Sequence, residues 1–118
     1  MSEKRLKPTK EILSPILYND DGKEIARTRT HIFVEKGKLK NYIHQLEFFD
    51  KEKWKVVVRF NYFHSFVHKD IFNRKEEKIE TENLGEFAHL VDALEKARND
   101  LKMNVGYYIR KFVRDENE

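Results

Sequence analysis

WKVVVRFNYF, residues 54–63, decides the fold. If the strand is unbroken, Trp54, Val56, Val58, Phe60 and Tyr62 fall on one face. Lys55, Val57, Arg59, Asn61 and Phe63 then fall on the other. Upstream, THIFVEKGKLKNYIHQLEFFD (30–50) has the form of a hairpin, with Lys36-Gly37-Lys38 turning the chain. On its return arm Tyr42, His44, Leu46 and Phe48 share a face. YNDDGKE (18–24) reads as a further turn between a short strand near Ile16–Tyr18 and one beginning near Glu24. Downstream, residues 67–73 suit another strand and residues 77–80 a shorter one.

From Leu84 the apolar period changes from two to 3.6. Phe87, Leu90, Val91, Leu94, Leu101, Val105, Tyr108, Ile109 and Phe112 form one stripe. Asn83 suits an N-cap with Glu86 three residues on, and Gly106 is a point where the helix is expected to bend or break. The expectation is an α+β fold: an antiparallel sheet of four or more strands with a long C-terminal amphipathic helix packed on one face.

The 118 residues suffice for one domain, expected over 12–114 between a flexible basic N-terminus (1–11) and an acidic tail (115–118). Without cysteine, neither disulfides nor thiolate metal sites are available. The apolar residues 12–17 are too few, and too interrupted by Ser14-Pro15, for a signal segment, and no run is long enough to span a membrane. A cytoplasmic protein is expected. Its net charge of +3 is compatible with RNA as a partner. The Lys and Glu bias is a composition that thermophilic proteins often show.

RFNYFHSFVHKD (59–70) carries the candidate site. In one extended strand His64 and His68 would stand about 13 Å apart, too far to share an ion. A turn at Ser65-Phe66-Val67 would instead bring the two histidines together with Asp70 as an oxygen ligand, but no Gly, Asn or Pro there favours it, and no metal or other cofactor is expected. Histidines do suit acid–base cleavage of RNA, one taking the 2′-hydroxyl proton and the other protonating the leaving oxygen. Arg59, Lys69 and Arg74 would neutralise the phosphate, and Tyr62, Phe63 and Phe66 would stack bases. The alternative is a plain solvated strand. His64 shares the parity of Trp54 through Tyr62, so an unbroken strand would turn it toward the core.

The segment VVVRFNYFHSFVHKD, with Trp54 upstream and an amphipathic helix to close, resembles the signature of TumE-like toxins of toxin–antitoxin systems. That resemblance implies a small growth-inhibiting protein acting on RNA and neutralised by an acidic or helix-turn-helix antitoxin. It places Arg59, His64, His68 and Asp70 on the motif. Asn61 stands where the family tends to have Asp, which removes one carboxylate. A metal-independent ribonuclease is the expectation, with His64 and His68 catalytic, Arg59, Lys69 and Arg74 on phosphate, and Asn61, Asp70 and Tyr62 in support. A non-catalytic nucleic-acid-binding or protein-interaction module is the alternative.

Overall fold

The computed structural model describes residues 8–63 and 66–114. The expected sheet and helix are both present. Six antiparallel strands run in sequence order: β1 (Lys10–Tyr18), β2 (Glu24–Glu35), β3 (Lys38–Asp50), β4 (Lys53–Phe63), β5 (Phe66–Phe72) and β6 (Lys78–Gly85). One helix, α1 (Leu90–Arg114), lies across β3 and β4. The segments 1–7, 64–65 and 115–118, which include the acidic tail and His64, lie outside the described residues.

Turn chemistry sets the register. Asn19 opens the β1–β2 turn by accepting from the amides of Asp21 and Lys23 through Oδ1. Asn73 does the same between β5 and β6, for Lys75 and Glu77. The left-handed position three residues after each Asn holds Gly22 in one turn and Glu76 in the other. Lys36-Gly37 and Lys51-Glu52 are two-residue turns with positive φ at both positions, the form that matches strand twist.

The face toward α1 is apolar. Tyr42, Leu46, Val58, Phe60, Val67 and Ile71 bury against Leu94, Ala97, Leu101, Tyr108 and Phe112. Phe48 meets Phe112 edge-on at 6.0 Å. Tyr42 is fully buried, its hydroxyl bonded to none of the described residues, and burial pushes its pKa up to about 12.

Two local expectations change. On β4 the register slips at Val57: Leu46 pairs with Val58, whereas Glu47 pairs with Val56. This bulge reverses parity, so Trp54 and Val56 share the face away from α1 with Phe49 and Glu47, opposite to Val58, Phe60 and Tyr62. The helix begins at Leu90 rather than Leu84. Asn83 is the cause: it belongs to β6, and its Oδ1 accepts from the Gly85 amide, where φ is +91°. The first helical carbonyl is that of His89, bonded by the amides of Asp92 and Ala93. Val91 is exposed and leaves the stripe, and the helix continues unbroken through Gly106.

Candidate functional site on the uncovered sheet face

Strand alternation and register together assemble this face. Register pairs Gln45 with Arg59, Arg59 with Asp70, Asn61 with His68, and Asp70 with Thr81. All point away from α1, because their neighbours Leu46, Val58, Phe60 and Ile71 point into the core. Arg59, Asn61, His68 and Asp70 are therefore brought together.

Asp70 is buried and doubly held. Its Oδ1 accepts from the Thr81 hydroxyl at 2.9 Å, and its Oδ2 from Asn61 Nδ2 at 3.2 Å, with Lys78 Nζ 4.0 Å away. Arg59 donates through Nε to Gln45 Oε1 at 2.8 Å, and its guanidinium lies 5.3 Å from the Phe72 ring centre. Its two terminal nitrogens make no bond to any described residue, so they stay available to a ligand. Neither does the half-buried His68. Asn61, His68, Asp70, Lys78 and Thr81 line a shallow pocket of about 240 Å³. Among the described residues no three His, Asp or Glu side chains gather as a metal-binding group.

The polar belt continues across the sheet toward β1. Glu47, though 5% exposed, is charged, because Arg27 Nε (2.7 Å), Arg29 Nε (2.8 Å) and Gln45 all donate to it. Burial works to raise its pKa, and these donors outweigh burial and lower it. Arg29 also reaches Glu11, and Arg27 lies over the Trp54 ring at 3.9 Å.

Three expected site residues lie elsewhere. Lys69 follows His68 in an extended strand, so it faces α1, where it bonds the Tyr108 hydroxyl at 3.1 Å. Burial opposes its charge, but Tyr108, Asp100 and Glu82 raise its pKa overall. Burial and the bond to Asp100 push Tyr108 up to about 12. Tyr62 pairs with Val67 on that same covered face. Arg74 clamps Asp50 at 2.7 Å beside Lys55, at the far end of β4. Thr81, Lys78 and Gln45 are the members that the sequence did not reveal. Their strands read as charged or mixed runs, and only the register brings them to the site.

The profile of a family described as "Domain of unknown function (DUF7718)" matches residues 3–118. The chain belongs to the DUF7718 family. No curated protein and no solved structure matches it. In this DUF7718 chain, then, geometry alone speaks for chemistry. Within two adjacent strands the uncovered face offers a guanidinium whose terminal nitrogens bond no described residue, an imidazole that bonds none, and a fixed carboxylate.

Proposed function

We propose that this DUF7718 chain is an RNA-directed protein of the toxin-like kind, and that it holds RNA on the uncovered face of its sheet. The observation that carries this is the Arg59 guanidinium, whose two terminal nitrogens bond no described residue, on the same sheet face as His68, which bonds none either. A phosphate bound there gains a bidentate, charge-assisted contact. Exposed Phe49, packed against Trp54 with ring centres 5.3 Å apart, supplies a surface on which an unpaired base would stack. Lys69 and Arg74 take no part in phosphate binding, because other partners hold them. Lys78 at the pocket rim replaces them.

Cleavage of RNA in this scheme needs His68 as one acid–base group and a second close to it, the role the toxin resemblance gives to His64. Asp70, fixed by Asn61 and Thr81, stands two residues from His68 on the same face of β5, where it would help to orient a bound substrate. An acidic antitoxin would cover the same face by charge complementarity.

Binding of a labelled single-stranded RNA pool, at low and high salt and with EDTA present, tests the proposal. Arg59→Ala should weaken binding several-fold and reduce the salt slope by about one. His68→Ala should leave affinity nearly intact while lowering any cleavage by about 100-fold. Wild type that binds no RNA at low salt sinks the proposal. Wild type that binds without cleaving leaves a binding module.

A further inference from the structure

A larger pocket lies on the opposite side of the sheet, under the helix. Its volume is about 390 Å³, within the usual range of small-molecule sites. The floor is polar and buried: His44 and Thr30 are each 4% exposed, and the imidazole Nδ1 lies 2.7 Å from the Thr30 hydroxyl. That contact occupies one ring nitrogen, and Thr28 adds another hydroxyl to the lining. Ile12 and Ile16 of β1 form an apolar wall.

Arg98 and Lys102, one helical turn apart, close the mouth. Neither has a hydrogen-bond or ion-pair partner among the described residues. The contrast with the other buried polar sites is direct, since Glu47, Asp50 and Asp70 are each matched by cations or donors. Here two cations meet a neutral imidazole and hydroxyls, with no carboxylate opposite. What is lacking is an anion.

We propose that this pocket binds a small organic carboxylate with an alkyl chain, its head between Arg98 and Lys102 and its chain against Ile12 and Ile16. A monocarboxylate suits the site better than a phosphate. Two separate single charges replace a nest of backbone amides, and one whole wall is hydrocarbon. The site stands independently of the RNA face, from which the sheet itself separates it.

Octanoate is the probe, titrated into the intact folded chain and followed by NMR. Saturable shifts are expected at Thr28, Thr30 and His44, with Asn61 and Thr81 unmoved. Octanol, with the same chain and no charge, should bind at least about tenfold more weakly. Inorganic phosphate should produce no saturable shift there. Arg98→Gln and Lys102→Gln should each weaken octanoate binding while thermal unfolding stays close to wild type. The proposal is overturned if millimolar octanoate moves none of these resonances, or if octanol or phosphate binds as tightly. Either result comes from wild type alone and does not depend on the variants folding.

Discussion

His44 is the residue whose protonation the fold resists most. Burial comes first among the causes, and the nearby Arg98 charge adds to it, holding the imidazole down to about 4. The group's folded pKa lies below its unfolded value near 6.5. The unfolded chain therefore takes up the proton first, and stability present above that value is lost as pH falls toward 4. The loss from this one group is about 3 kcal/mol by about pH 4. Glu47 and Asp50, both with lowered pKa, also lose stabilisation on acidification, but only below the ordinary carboxylate range. Denaturant unfolding followed from neutral pH to about pH 4.5 should thus show a steep fall that His44→Gln flattens. Equal slopes in the two proteins would show that the imidazole is not the acid-sensitive group.

At the scale of elements, turns and bulges govern what alternation leaves open. Lys51 and Glu52 both adopt left-handed φ, 52° and 64°, in a turn of the kind that favours glycine. Glu52 is exposed and bonds no described residue, so Glu52→Gly should raise stability by about 0.5–1 kcal/mol. A thermal midpoint that falls instead would show that the turn carries no strain. The strands themselves were legible in the sequence, since β-branched and aromatic alternation marks each of β2 to β5. The parity flip on β4 was not. In Val56-Val57-Val58 any of three similar residues could be the extra one, and only pairing with Leu46 and Glu47 selects Val57. Leu84 and Phe87 fall in phase with the later stripe, so periodicity alone places the helix start too early. The Asn83–Gly85 contact that stops the helix there is a matter of local geometry. For the site, alternation separates His68 and Asp70 from Lys69 on β5, but only the β4–β5 register brings Arg59 and Asn61 to the same face. The pocket under α1 was hidden, because His44, Arg98 and Lys102 become neighbours only when the helix docks.

The whole molecule is a single-layer sheet with two unlike faces. Helix α1 covers β3 and β4, while β1 and β6 form the open edges. Both edges resist pairing with other chains: Pro15 lacks a donor on β1, and Lys78, Glu80 and Glu82 charge β6. Among the described residues no helix is long and apolar enough to cross a membrane. Amide exchange should be slowest around Leu46, Val58 and Phe60 and fastest along β1 and β6. Uniform protection across all six strands would mean that the sheet opens only as a unit. Every strand pairs with its neighbour in sequence, so the sheet needs no long crossover. Each hairpin can close through a short loop, at small entropic cost, before the next is made. The return of α1 onto the sheet, chiefly onto β3 and β4, is the step that joins distant parts of the chain. On this topology docking of α1 is the step expected to limit folding, and that same step forms the pocket beneath the helix.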